Sequence, residues 1–284
     1  MKMIKKILFP TDYSESAQNA FRYCLILADH FNARIELMHV VYPEYEALDL
    51  PVMAAQATKE RVETARSLMQ SFVEVGIAQV QTSYNFQTLP VVNADVEIGT
   101  PGSAIVEVAR RADVDLIVMG TKGEHNALER FLGSVTTNVI GNAHCPVWVV
   151  PEKARYERID IVAYASNLED ADPYHIWELG KTLEPFSPIM HCVHVNTSES
   201  MEQALDFAGL GAFFEHHAPA LQISFHPLSG RSVVNALDEF IETHQVDLMV
   251  MYAPAHNWLD RILHRSNTKR MALDTHVPLL ILKK

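Results

Sequence analysis

Three glycines and a serine carry the most specific chemistry in this chain: Gly120-Thr121-Lys122-Gly123, nine residues, then Gly133-Ser134. They follow Val114-Asp115-Leu116-Ile117-Val118-Met119, which reads as a buried strand, and precede Val135 and Val139, spaced as on a helix. Glycine there lets backbone N–H groups approach an anion with no Cβ in the way, and it permits positive φ. Gly133-Ser134 puts amides at the positive end of a helix, which suits phosphate. The Ser134 hydroxyl adds a donor, and Lys122 or Arg130 can screen charge. A plainer reading is that Gly120 and Gly123 only close a tight turn.

Other chemistries find less support. The chain has no Gly-x4-Gly-Lys-Ser/Thr, no Gly-x-Gly-x-x-Gly and no Gly-x-Ser-x-Gly. His191, Cys192 and His194 invite a metal, but strand neighbours point to opposite faces, so they read as structural, as do His216-His217 at a solvated helix end. Cys24, Cys145 and Cys192 sit singly among apolar residues and read as buried thiols.

The strand that leads into the glycines occurs twice. Val114-Asp115-Leu116-Ile117-Val118-Met119-Gly120 returns 132 residues later as Val246-Asp247-Leu248-Met249-Val250-Met251-Tyr252, and His144-Cys145-Pro146 returns as His276-Val277-Pro278. In the second copy Tyr252, Ala255 and Arg265-Ser266 stand where the glycines and Gly133-Ser134 stood. One working site and one partner domain without it are expected, Arg265 leaving at most a remnant anion site. Two copies divide 284 residues into halves of ordinary domain size.

A net charge of −12 argues against a nucleic-acid surface, which needs clustered Lys and Arg. No run approaches the roughly 18 apolar residues of a membrane helix, and the apolar stretch after Lys5-Lys6 stops at Pro10, so the expectation is a cytoplasmic protein.

Short apolar runs alternate with helical patterns in both halves, as in βαβ units on a parallel sheet. The first half reads as strands at Ile7–Phe9, Ile35–Val41, Asp115–Met119 and Pro146–Val150, with extended chain between Val80 and Ile98. Its helices are a stripe of Ala17, Ala20, Cys24, Leu27, Ala28 and Phe31, then Val52–Val75 and Ser103–Arg111, and one after the glycine loop. Gln81–Asp95 reads as a strand, a loop near Gln87–Pro90 and further extended chain, and Pro151–Glu157 as a polar linker. The second half reads as strands at Ile159–Tyr164, Ile189–Val195, Leu221–Phe225, Val246–Tyr252 and Leu279–Leu282. Its helices are Pro173–Leu183, Glu199–His217, Ser232–His244 and one ending near Asp274.

The glycine stretch resembles the ATP-binding branch of the universal stress protein family, whose motif is Gly-x2-Gly-x9-Gly-Ser/Thr after the fourth strand. Each fixed position is filled, and the resemblance extends to Phe9-Pro10-Thr11-Asp12-Tyr13-Ser14, His39-Val40 and Gly99-Thr100-Pro101. It covers the first half almost completely and the second as a degenerate copy. It implies an α/β fold of two tandem, Rossmann-like, open parallel five-stranded sheets flanked by helices. Domain 1–151 would hold the intact motif, domain 158–284 would lack it, and the two would pack as an internal pseudo-dimer through their last strands, leaving room for a further homodimer.

The resemblance also implies an adenine nucleotide, ATP or else AMP or ADP, with or without Mg2+. Asp12 and the backbone of Val40 would hold the adenosine, and Gly120, Gly123, Gly133, Ser134 and Val135 the ribose and phosphates. Pro10, Thr11, Met119 and Thr136 complete the expected binding set. In the second half Ser166 is taken to match Asp12. Asp12 has a plainer reading as a helix N-cap with Glu15 at N3. The implied function is nucleotide-dependent regulation in a stress response, with protein partners unspecified. Slow ATP hydrolysis and a nucleotide-free interaction scaffold are its rivals, and no residue pair reads as a general base with a nucleophilic water.

Overall fold

The computed structural model describes residues 3–43, 51–121, 133–166, 172–196, 211, 213, 214, 216, 222–230, 232–252 and 277–283. The chain divides into two compact units, Ile4–Tyr156 and Glu157–Lys284.

In the first unit the strands are β1 (Lys6–Pro10), β2 (Arg34–Val41), β3 (Val92–Ile98), β4 (Leu116–Gly120) and β5 (Val147–Val150). They pair in parallel in the order β3-β2-β1-β4-β5. Ile7, Leu8, Phe9, Leu116, Ile117 and Val118 are fully buried, as expected for strands covered on both faces. The helices are α1 (Glu15–Phe31), α2 (Pro51–Gln81), α3 (Pro101–Arg111) and α4 (Ser134–Asn142). The stripe expected on α1 is its buried face, and the helix ends at Asn32 in the left-handed conformation.

One expectation changes, and a second gains detail. No strand forms near Val80, because α2 runs on to Gln81. Its buried residues Ala65, Met69, Phe72 and Val80 keep a helical spacing, so Val80 completes a helix face rather than starting a strand. The chain from 82 to 91 is then a loop, and β3 is a single strand. The segment read as a polar linker is packed: the carbonyls of Pro151 and Ala154 accept hydrogen bonds from Asn19, and the Tyr156 hydroxyl lies 2.9 Å from His30 Nε2.

In the second unit β6 (Ile161–Ala165), β7 (Ile189–Asn196), β8 (Ile223–Ser229), β9 (Leu248–Tyr252) and β10 (Leu279–Leu282) pair in parallel in the order β10-β9-β6-β7-β8. Its described helices are α5 (Asp172–Thr182), followed by a single 3-10 turn, and α6 (Val233–His244). Of the helix expected over Glu199–His217 only Gly211, Phe213, Phe214 and His216 are described, all helical, and the helix ending near Asp274 lies outside the described residues.

The repeated Val-Asp-Leu has a structural reason. Asp115 Oδ2 accepts from the amides of Lys5 and Lys6, both at 2.9 Å, and Asp247 Oδ2 accepts from Asp160 and Ile161 at 2.9 and 2.8 Å. Each carboxylate satisfies N–H groups where the adjacent central strand begins.

Candidate functional site

In the first sheet the chain steps from β1 to β2 and β3 on one side, then returns to place β4 and β5 on the other. The order reverses between β1 and β4, and such a switch point opens a crevice at the carboxyl edge of the sheet. The expected residues gather there. Pro10 ends β1, Thr11 donates its N–H to Met38 O at 2.8 Å, Val40 lies two residues further along β2, and Met119-Gly120 ends β4.

The far side of the crevice is the start of α4. Gly133 N–H donates to Thr121 O at 2.7 Å, and Thr136 Oγ1 donates to Gly120 O at 3.1 Å, so α4 begins against the end of β4. Gly133 is the N-cap residue, and no side chain caps the helix. The first-turn amides of Ser134, Val135 and Thr136 therefore keep the donors that a capping side chain would occupy, at the positive end of the helix dipole. Lys122, Gly123 and Arg130 lie outside the described residues.

The two described glycines serve different ends. A Cβ at Gly120 would stand 2.8 Å from Ser16 Oγ and 3.4 Å from the Ser16 carbonyl oxygen. A side chain at 120 would thus press on the first turn of α1 through Ser16, a reason for glycine separate from access to an anion. Gly133 has φ −60 and ψ 158, a conformation open to any L-residue, so backbone conformation does not require glycine there.

Asp12 is not the helix cap. Ser14 holds that position, its hydroxyl accepting from Ala17 N at 3.2 Å. Asp12 Oδ1 accepts from Ser14 N at 3.1 Å, and Thr11 Oγ1 accepts from Tyr13 N at 3.0 Å, two successive side-chain turns that shape the loop. They hold Tyr13 at φ 66, unusual for a residue with a large side chain. Its ring stacks on His39 with centroids 4.5 Å apart and its hydroxyl donates to Ala65 O at 2.9 Å. Burial raises the Tyr13 phenol well above its ordinary pKa, so it remains a donor. These contacts tie the β1 loop to α2, a link that sequence spacing did not reveal because Tyr13 and Ala65 are 52 residues apart.

Ser14 and Asp12 should separate by mutation. Ser14→Ala should cost about 1 kcal/mol of stability by loss of the cap, with ligand affinity little changed. Asp12→Ala should weaken nucleotide affinity by a larger factor than its effect on stability. Parallel melting curves and titrations with ATP check both, and an Asp12 variant that melts early yet binds normally would leave Asp12 a purely structural role.

The second unit repeats the brace. His39 Nδ1 lies 2.8 Å from Thr11 O, and His194 Nδ1 lies 2.9 Å from Ser166 O. Ser166 N donates to Val193 O as Thr11 N does to Met38 O. Ser166 therefore corresponds to Thr11 and not to Asp12. The counterpart of Asp12 is Asn167, outside the described residues, as are Ala255, Arg265 and Ser266. Tyr252 occupies the place of Gly120, buried, with its ring stacked on His175 at 4.0 Å. In the first turn of α5 the buried Asp172 carboxylate accepts from the hydroxyls of Tyr164 and Ser166. An aromatic ring thus stands where the first unit has Gly120, and the counterpart of the α4 start lies outside the described residues.

His191 and His194 lie on opposite faces of β7: His194 braces Ser166, while His191 meets Ser224 and His226. Among the described residues, no three His, Cys, Asp or Glu side chains are arranged to hold a metal ion, and no helix is long and apolar enough to cross a membrane.

The model of the universal stress protein family matches residues 3–151. Two universal stress proteins of Methanocaldococcus jannaschii are similar to this chain. One is 31% identical over 52% of this chain and 82% of its own length, the other 30% identical over 53% of this chain and 97% of its own. The crystal structure of a universal stress protein from Archaeoglobus fulgidus shares the fold over 98% of this chain and 96% of its own, with a TM-score of 0.69 at 18% identity. The two-unit parallel α/β architecture and the matched first half lead to one conclusion: the chain belongs to the universal stress protein family.

Proposed function

We propose that the first unit binds one adenine nucleotide, ATP or else ADP or AMP, with or without Mg2+, and that the protein acts in a cytoplasmic stress response through the conformation this ligand favours. The observation that carries the reading is the convergence at the switch point. Pro10-Thr11-Asp12, Val40, Met119-Gly120 and the uncapped start of α4 at Gly133–Thr136 come from four segments of chain and meet at one edge of the sheet. The helix N-terminus suits the phosphates, and the β1 loop with the end of β2 suits the adenosine. Gly123 completes the cradle in this reading.

The second unit, with Tyr252 and Asp172 in the corresponding region, takes no nucleotide in this manner. Calorimetric titration of the full chain with ATP should give one site per chain. No heat of binding, or two equivalent sites, would refute the proposal. A phosphate-release assay on the saturated protein distinguishes ligand from substrate: the reading predicts ATP retained intact, and steady turnover would favour a slow ATPase.

A further inference from the structure

Three imidazoles meet on one face of the second unit, away from the edge that corresponds to the nucleotide site. His191 lies on β7, His226 on the edge strand β8 and His244 at the end of α6. Their ring centroids are 4.9, 5.4 and 5.4 Å apart. His191 Nδ1 stands 3.0 Å from His226 Nε2, and Ser224 Oγ is 2.6 Å from the first nitrogen and 3.0 Å from the second. The His244 ring stacks on Phe240 at 3.9 Å, and its Nδ1 lies 3.2 Å from Phe240 O.

A nitrogen–nitrogen contact of this length requires one donor and one acceptor, so at least one of the two imidazoles must be neutral. The fold does not demand such a cluster. Strand register and helix ends place Glu36, Asn93, Asp95 and Ala112 at the same positions in the first unit, where Glu36 pairs with Arg34 and Asn93.

We propose that His191, His226 and His244 form a proton-sensitive clasp that holds the edge strand β8 and the last turn of α6 to the second unit at neutral pH and releases them on acidification. The half-buried rings face one another and the apolar cluster of Val193, Leu237, Phe240 and Ile241, so a second proton introduces like charges at contact distance. Burial, and then the neighbouring imidazoles, lower the proton affinity of His191 and His226. The folded state thus binds fewer protons than the unfolded chain, and stability falls as pH drops past the ordinary histidine value of about 6.5.

Among the described residues, the charged groups around the clasp are those of α6. β6 presents Ile161 and Ala163, β7 and β8 add Ser224 as the polar neighbour, and α6 carries Asp238, Glu239 and Glu242. Among the described residues, the charges that act on His191 are those of His226 and His244. Asp238, raised to about 6 by burial and then by Glu242, acts in the opposite sense, favouring the folded state as pH falls through that value. The Asp238→Asn variant removes this opposing effect.

The test is hydrogen exchange of the intact, nucleotide-free chain at pH 7.5 and 5.5, corrected for the intrinsic rate. Protection of 223–229 and 240–244 should fall by about tenfold or more, by the one-unit-per-decade relation, while 6–10 and 116–120 change little. In Asp238→Asn the fall should be larger, and in His191→Gln/His226→Gln it should shrink toward that of the first unit. Unchanged protection of wild-type β8 would overturn the proposal without recourse to any variant. So would a rise in its protection at pH 7.5 on adding Zn2+ to chelator-treated protein, which would make the cluster a metal site.

Discussion

Gly133→Val should reduce ATP affinity by about 100-fold or more, equivalent to about 2.7 kcal/mol of binding free energy. Valine can adopt the φ −60 and ψ 158 of this residue, so the backbone need not change. What changes is space. Gly133 is buried, its N–H is held by Thr121 O, and the open first turn of α4 begins at the next residue. A branched side chain there competes for the volume that a phosphate needs beside those amides. The melting temperature should move far less than the affinity, since no core contact is lost, and Gly133→Ala should fall between the two. Calorimetric titration with circular-dichroism melting measures both quantities. Normal ATP binding by the valine variant would mean that the phosphates do not lie at this helix end.

Asp29→Ala should destabilise the first unit by about 3 kcal/mol, the scale for removing a buried, hydrogen-bonded charge. Asp29 is only 7% exposed and lies in the last turn of α1, where the helix dipole disfavours an acid. Its carboxylate is kept there by three donors: the Tyr84 hydroxyl at 2.8 Å and the amides of Gln87 and Thr88, each at 2.9 Å. Alanine leaves all three donors without this acceptor and unties the loop between α2 and β3. Asp29→Asn, which keeps one carbonyl oxygen, should cost less. Denaturant unfolding gives the magnitude, and hydrogen exchange over 82–91 locates it. A change below 1 kcal/mol would mean that water replaces the carboxylate at little cost.

The parts of this fold that were legible in the sequence are those set by local pattern. Ile7–Phe9 announces a buried strand because β-sheet periodicity and burial coincide there, and the stripe from Ala17 to Phe31 announces α1 because its spacing fits a helix. The family, and with it the edge of the sheet where the candidate residues meet, was legible from the glycine spacing and its flanking strands. Val80 misled because β-branched residues near a helix end resemble a strand start, and only packing along α2 reveals the helix face. The sequence of the two halves leaves their register one residue uncertain at Ser166, and the backbone hydrogen bonds to Met38 and Val193 fix it. The imidazole clasp escaped notice because its members lie on three elements, and nothing local in the sequence joins His191 to His226 or His244.

Tyr252 bears on how such a chain can change over time. Its ring is buried against His175, so Tyr252→Gly would leave a void the size of an aromatic side chain, at a cost of about 3–5 kcal/mol before any ligand could compensate. In the first unit the reverse step meets resistance at its first atom, since a Cβ on Gly120 would stand 2.8 Å from Ser16 Oγ, which must shift to admit it. Each single exchange between the two states therefore carries a packing cost of its own. Under the proposed reading, a second nucleotide site would require the strand end at Tyr252 and the helix that carries His175 to change together.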